Sequence, residues 1–328
     1  MSQRILRWGL LGVARINRAL IPPLRASSRS ELVAIASRSL DRARRYAEQE
    51  QIPRAYGSYE AMLADPDIDV VYNPLPNSLH AEWTIKAALA GKHVLCEKPL
   101  GVTVAQVDAM AQAAHEAGVV VAEAFMYRHH PQTLKVKELV DSGAIGRLRL
   151  VRGAFTFTLS RTVDVRLDPA LGGGSTWDVG CYPISYARYA IGSEPLEAFG
   201  WQGVGASGVD EAFAGQLRFA DGVYAQFDCG FRAPFRAHLE IVGSDGAIDV
   251  AHPFKPGLDE QIHVTRGDRM ETIVIPGQEL YVGEVEDMAD AILNGQAPRV
   301  SLQDSRGNVA AIVALLRSAR EGRPQLVD

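Results

Sequence analysis

Residues 6–17, "LRWGLLGVARIN", set the reading of the whole chain. "LRWGLLGV" (6–13) is a nearly continuous apolar run, the pattern of a strand buried on both faces. A glycine-bearing loop follows, with Gly9, Gly12, Ala14 and Asn17. "ARINRALIPPLRAS" then reads as a helix that Pro22 and Pro23 should interrupt. A G-x-G-x-x-G pattern set on Gly12 has Ala14 in its second place and Asn17 in its third, both departures from glycine. A plain strand-to-helix turn would look similar. The context favours a ligand, because the loop ends the first strand of a βαβ unit and opens a helix. Free N–H groups and the helix dipole there attract a pyrophosphate. Gly12, Ala14, Arg15 and Ile16 are the loop residues expected beside it.

The same alternation continues through the first third. "ELVAIAS" (31–37), "IDVVYNPLP" (68–76), "HVLCEKP" (93–99) and "VVVAEAF" (119–125) read as strands. "LDRARRYAEQEQ" (40–51), "SLHAEWTIKAALAGK" (78–92) and "VDAMAQAAHEAG" (107–118) read as helices, with Gly91 at a helix C-terminus. Strand, helix, strand with short links implies a parallel sheet covered on both faces. From about Leu148 the period changes. "VYAQFDCGF" (223–231) and "HLEIVGSDGAIDV" (238–250) alternate, the second with a turn at 244–246, as in an antiparallel or mixed sheet. The expected division is therefore a dinucleotide-binding domain over 1–125 and a second α/β domain over 126–328 with an open, mostly antiparallel sheet.

The second strand ends in Ser37-Arg38, where an acid would accept hydrogen bonds from the ribose 2′-OH of NAD. A hydroxyl and a guanidinium, with Arg42 a turn later, suit a 2′-phosphate instead. NADP is the expected cofactor and NAD the alternative; surface arginines at a solvated helix start read the same residues. Ligands of open parallel sheets bind beyond the carboxyl ends of the strands, where "NPLPNSLH" (73–80) and Glu97-Lys98-Pro99 fall. A lysine there is also an ordinary solvated residue. In "DVRLDPALGGGSTWDVGCYPISYA" (164–187), Asp178 and Tyr182 share one face of a helix beginning near Ser175. The three glycines, 172–174, allow close approach of backbone to a ligand or to neighbouring chain. A tyrosine acid/base needs a nearby ammonium to stabilise its phenolate. Lys98 would supply it if the second domain folds back over the first; a core tyrosine with a satisfied hydroxyl is the plainer alternative.

Composition narrows the class. The chain has 328 residues, 47% hydrophobic and 22% charged, and a formal net charge of -5. Its arginines are scattered, so no nucleic-acid surface is expected. No apolar run reaches the roughly 18 residues of a membrane span, and no cleavage site follows the apolar start. Cys96, Cys181 and Cys229 are too few and too far apart for a disulfide framework or a zinc spacing. His129-His130 is adjacent rather than at ligand spacing, so no metal is expected. A reducing, cytoplasmic location follows from the same reading.

In their order, the 9–14 loop, "YNPLPNSLH", "CEKPL", "EAFMYRHHPQ" (123–132), the Gly-Gly-Gly…Asp-x-Gly-x-Tyr segment and "GEVEDMADAIL" (283–293) resemble the Gfo/Idh/MocA oxidoreductases. The resemblance spans essentially the whole chain. It implies a Rossmann domain, a C-terminal sheet that often forms the subunit interface of a homodimer or larger oligomer, and hydride transfer between NAD(P) and a carbinol carbon. Lys98 matches the family's catalytic lysine and Asp178 its aspartate. Tyr182 stands where inositol dehydrogenases have histidine. It is similar to the branch of dimeric dihydrodiol dehydrogenases, D-xylose dehydrogenases and glucose-fructose oxidoreductase. The resemblance implies Tyr182 as acid/base, Lys98 tuning it, and Asp178 orienting substrate. It places Leu75, Asn77, His80 and Glu97 at the cofactor, and Arg166 and Trp177 near the nicotinamide or substrate. Arg166 could equally be a structural partner of Asp168 or Asp178. The implied substrate is a sugar, polyol or trans-dihydrodiol. The alternatives are a ketoreductase on a nucleotide-linked deoxysugar and a non-catalytic NADP- or sugar-sensing protein.

Overall fold

The computed structural model describes residues 4–328. The chain forms two compact units: the stretch up to Met126 together with Tyr281–Ser305, and Tyr127–Leu280 with Arg306–Asp328. A single cut near 125 misses the two further crossings, into the first unit at Tyr281 and out of it at Arg306.

The first unit is built on strands β1 (Leu6–Leu11), β2 (Ser30–Ala36), β3 (Arg54–Tyr56), β4 (Val70–Asn73), β5 (His93–Glu97) and β6 (Val121–Ala124). They form one parallel sheet in the order β3-β2-β1-β4-β5-β6. The order reverses at β1, the place where such sheets open a ligand crevice. Helices α1 (Asn17–Ala26), α2 (Leu40–Gln49), α3 (Tyr59–Leu63), α4 (His80–Leu89) and α5 (Val104–Ala117) connect the strands. The short β3 and α3 were not expected; three- and five-residue elements carry too little periodicity to be read. α1 runs unbroken through Pro22 and Pro23. Leu20, Ile21 and Leu24 are at most 2% exposed, and their burial outweighs the lost backbone bonds. Gly91 has a φ of +73° and Gly118 closes α5 in the left-handed region.

The second unit carries β7 (Leu148–Thr158), β8 (Glu197–Val204), β9 (Asp210–Arg218), β10 (Tyr224–Gly230), β11 (Arg232–Gly243), β12 (Ala247–Val250), β13 (Asp259–Arg266), β14 (Arg269–Pro276) and β15 (Gln325–Leu326). The sheet order is β14-β13-β12-β11-β7-β10-β9-β8-β15, antiparallel except for β7 and β10. Its helices are α6 (Pro131–Asp141) and α7 (Cys181–Ile191). α8 (Val282–Asn294) belongs to the first unit, and α9 (Leu302–Glu321) to the second from Arg306 onward. Val223, Ala225, Phe227, Cys229 and Phe231 are all buried, as their alternation predicts. The cover is internal: Gly180 packs close to Cys229 Sγ, and Leu315 of α9 lies against Gly215. That alternation therefore reports a core face and not a subunit interface.

Candidate functional site

The first unit gathers its expected residues on the carboxyl edge of one sheet. Gly12 follows β1, Ser37 and Arg38 follow β2, Leu75 and Asn77 follow β4, and Lys98 follows β5. Gly12 has a φ of +92°, and a Cβ there would lie 3.1 Å from Leu75 Cδ2, so glycine is required for conformation and for space. Asn17, in the third glycine place, is fully buried and donates from Nδ2 to Gly12 O at 2.9 Å, tying helix to loop. Ala14, Arg15 and Ile16 lie between them, and Ile16 packs against the core. No side chain caps α1; Asn17 N donates to Ala14 O at 3.2 Å and Ala19 N to Ile16 O at 2.8 Å, so what the helix start offers an anion is its dipole and the remaining donors of the loop. Ser37 is buried, whereas Arg38 is exposed. Arg42 donates to Val13 O at 3.1 Å and so borders the same loop. These residues fit a dinucleotide phosphate.

Lys98 is half-buried between two anchors. On one side Tyr72 Oη donates to Glu97 Oε1 at 2.5 Å; on the other, Leu100 N donates to Glu123 Oε1 at 2.9 Å. The Lys98–Pro99 peptide bond is cis. His80 is wholly buried, with Nδ1 2.8 Å from Pro99 O and Nε2 2.7 Å from Leu75 O. A ring held that way has no surface to offer a nicotinamide ribose, so the direct contact expected of His80 is replaced by a tie between two strand-end loops. Burial, helped by the Lys98 charge, pushes its pKa down to about 4, so the ring is neutral and its single N–H donates to one of the two carbonyls while the other nitrogen only packs against its neighbour. Asn73 reinforces the tie by donating to His80 O and Thr84 Oγ1.

In the second unit, a π-helical turn (Thr176–Gly180) leads into α7 and carries Asp178 and Tyr182 on one continuous helical stretch. Such turns recur at functional sites. Arg166 Nε donates to Asp178 Oδ2 at 2.6 Å, and its Nη1 lies 3.2 Å from Asp164 Oδ1. The Asp178 partner was foreseen; Asp164, rather than Asp168, completes the set. Asp178 and Asp164 hold the Arg166 pKa above its usual value. Trp177 is buried. The Tyr182 ring sits among Tyr127, Phe155 and Phe254, with centroids 5.8, 5.2 and 5.6 Å away. Those three rings are spread over the chain, and no local spacing marks them. His130 is buried and within 3.1 Å of Gly257 O, so it packs.

Asp210 was missed altogether. It is 6% exposed, and its Oδ2 receives Thr176 N at 2.7 Å, Ser175 Oγ at 2.7 Å and Thr176 Oγ1 at 2.8 Å. Among the described residues, no group of three or more His, Cys, Asp or Glu side chains is placed to hold a metal ion.

Comparison with known proteins agrees with both units. Residues 6–125 match the model of an oxidoreductase family with an NAD-binding Rossmann fold, and residues 133–249 match the GFO/IDH/MocA C-terminal domain. The chain is 38% identical to D-xylose 1-dehydrogenase (NADP(+)) 2 of Haloferax volcanii, covering 98% of this chain and 99% of that one. It is 35% identical to trans-1,2-dihydrobenzene-1,2-diol dehydrogenase of Danio rerio over 76% of each. The crystal structure of KijD10, a 3-ketoreductase from Actinomadura kijaniata in complex with NADP and TDP-benzene, superposes with a TM-score of 0.91. That match has 33% identity and covers 96% of this chain and 98% of the other. Matched by family models over both 6–125 and 133–249, the chain belongs to the Gfo/Idh/MocA family of oxidoreductases.

Proposed function

We propose that this oxidoreductase uses NADP and acts at a carbinol carbon of a sugar, a sugar derivative or a trans-dihydrodiol. The observation that carries this reading is the bracing of Lys98, whose neighbours on both sides are tied down at the carboxyl edge of the sheet. Ser37, Arg38 and Arg42 next to the Gly12 loop support a 2′-phosphate, and NADP stands in the name of the Haloferax volcanii relative and in the KijD10 complex. Gly12, Ala14, Arg15, Ile16, Leu75, Asn77 and Glu97 frame the cofactor, with Arg166 and Trp177 beside the nicotinamide or substrate. When bound, NADP supplies the hydride acceptor or donor. In oxidation Tyr182 takes the hydroxyl proton, Lys98 steadies the oxygen and the phenolate, and Asp178, held by Arg166, orients the substrate.

The deciding experiment is a spectrophotometric screen of NADP⁺ and NAD⁺ reduction across aldoses, polyols and trans-dihydrodiols. Lys98→Ala should leave NADP binding nearly unchanged and lower turnover by ~10²–10⁴; wild-type turnover in that variant would end the assignment. The KijD10 similarity favours a second reading, a ketoreductase on a nucleotide-linked deoxysugar. NADPH oxidation with a dTDP-linked keto sugar, set against the free sugars, separates the two.

The outer face of the second unit's sheet exposes Trp201, Tyr224 and Met270 at 61%, 46% and 68%. We assign this face to a homodimer or larger assembly, to be checked by sedimentation velocity. No described helix is long and apolar enough to cross a membrane. The three buried thiols suit a reducing cytoplasm, where we place the enzyme.

A further inference from the structure

We propose that Asp210 is a positioning residue for the reaction, setting the helix that presents Asp178 and Tyr182. The inference rests on the reading of Tyr182 as acid/base. Three donors from the first turn of that helix converge on one oxygen of Asp210: the Thr176 N–H and the hydroxyls of Ser175 and Thr176. Ser175 and Thr176 are fully buried, so water cannot replace the lost acceptor.

The glycines of 172–174 are shaped to this contact. Gly174 has a φ of +125°, and a Cβ on it would come within 2.3 Å of Asp210 Oδ1. A Cβ on Gly173 would come within 2.5 Å of Arg166 O. Gly174 N donates to Arg166 O at 2.9 Å, Gly173 N to Asp168 O at 2.9 Å, and Asp178 N to Gly174 O at 3.1 Å. The loop bearing Arg166, the glycines and the helix start thus form one braced body. Its position on the sheet is fixed at Asp210, on the first residue of β9. Of the two openings a tri-glycine allows, this one admits neighbouring chain. A shift at Ser175–Thr176 moves the whole turn that carries Asp178 and the Tyr182 ring. Misplacement of reacting groups by about 1 Å can cost ~10²-fold in rate.

The test compares Asp210→Asn with Asp210→Ala, alongside Tyr182→Phe and a Ser175→Ala/Thr176→Val variant. Steady-state rates use NADP⁺ with D-xylose or, if it is turned over faster, a trans-dihydrodiol; NADPH affinity is read by fluorescence titration. Asn can place its amide oxygen where Oδ2 lies and keep the three donors satisfied. Asp210→Asn should therefore stay within about 3-fold of wild-type kcat, while Asp210→Ala falls by about 10–100-fold. NADPH affinity should change less than kcat in both, because the fingerprint loop belongs to the other unit and only the body bearing Arg166 and Trp177 shifts. The Ser175/Thr176 variant removes the two hydroxyl bonds from the helix side and keeps the Thr176 N–H one, so it should lose part of the turnover that Asp210→Ala loses, and Asp210→Ala should cost less on that background than on wild type. It also serves if Asp210→Ala does not fold. Wild-type kcat in Asp210→Ala or in the Ser175/Thr176 variant overturns the proposal. An equal loss in Asp210→Asn and Asp210→Ala does so too, by showing that charge and not the accepting oxygen matters. If Tyr182→Phe retains full turnover, the acid/base reading itself falls; if only Tyr182→Phe is slow, that reading stands and the role of Asp210 does not.

Discussion

Two buried titratable side chains of the first unit make opposite predictions for pH. His80 is neutral in the fold because burial holds its pKa near 4, below the ordinary value of 6.5. The unfolded chain takes up a proton first as pH drops, so the His80 contribution is intact above about 6.5 and is lost on falling toward 4. Wild type should lose on the order of 3 kcal/mol across that window from this group. Urea unfolding at pH 7 and pH 5 checks it: His80→Gln should be less stable at pH 7 but less sensitive to acid. Equal sensitivity in the two proteins would refute the account. Glu284 behaves the other way. Both of its carboxyl oxygens are buried without a hydrogen-bond partner, and burial, then the charges of Glu97 and Asp287, raise its pKa well above the usual carboxylate range. Tyr72 and Tyr281 lie around the same cluster, and burial, then the charges of Glu97 and Glu284, raise both. Such a group contributes most below its unfolded pKa and loses that contribution as pH rises toward the folded one. Glu284→Gln keeps the shape and removes the ionisation, so it should raise Tm at pH 8 more than at pH 5, by about 2–4 °C for each kcal/mol relieved. A lower Tm at pH 8 would contradict the burial argument.

At the scale of elements, the first strand, loop and helix were readable because they combine three independent signals. The apolar run gives a strand buried on both faces, Gly12 gives the turn, and the amphipathic stretch gives the helix. Gly12 is also where the element can be broken. Alanine there must adopt a φ of +92° and press against Leu75, which supports the neighbouring strand-end loop. Gly12→Ala should cost about 1–3 kcal/mol in stability and weaken NADPH binding more than it lowers kcat at saturation. Calorimetry with fluorescence titration reads both; unchanged affinity would separate this loop from the cofactor. A helix over Asp178 and Tyr182 was equally legible, although its π-helical first turn departs from the 3.6-residue period behind their expected shared face. The acceptor that fixes the helix start was not. Asp210 lies 34 residues beyond Thr176, and its three bonds depend on the fold of β9 rather than on local sequence. The aromatic surround of Tyr182 was hidden for the same reason, being drawn from three distant segments.

At the scale of the molecule, the chain's division depends on a helix whose sequence looks like any other amphipathic segment. Val285, Met288 and Ala289 of α8 are at most 1% exposed and lie in one core with Trp8, Leu20, Leu24 and Tyr72. Arg29 adds ion pairs to Glu286 and Asp290 while being only 14% exposed itself. Periodicity shows that a helix has an apolar face but not which sheet receives it, so this return to the first unit could not be read from spacing. Its energetic weight can be estimated. Each large side chain taken from that core withdraws about 1.5–3 kcal/mol of burial, comparable with much of a domain's net stability. Residues 1–126 alone should therefore lack a cooperative thermal transition and a native near-UV circular dichroism spectrum. The same residues joined through a flexible linker to 281–305 should recover both and bind NADPH. A cooperative, cofactor-binding 1–126 fragment would show that the Rossmann sheet completes its core without α8, and would move the functional boundary back to a single cut.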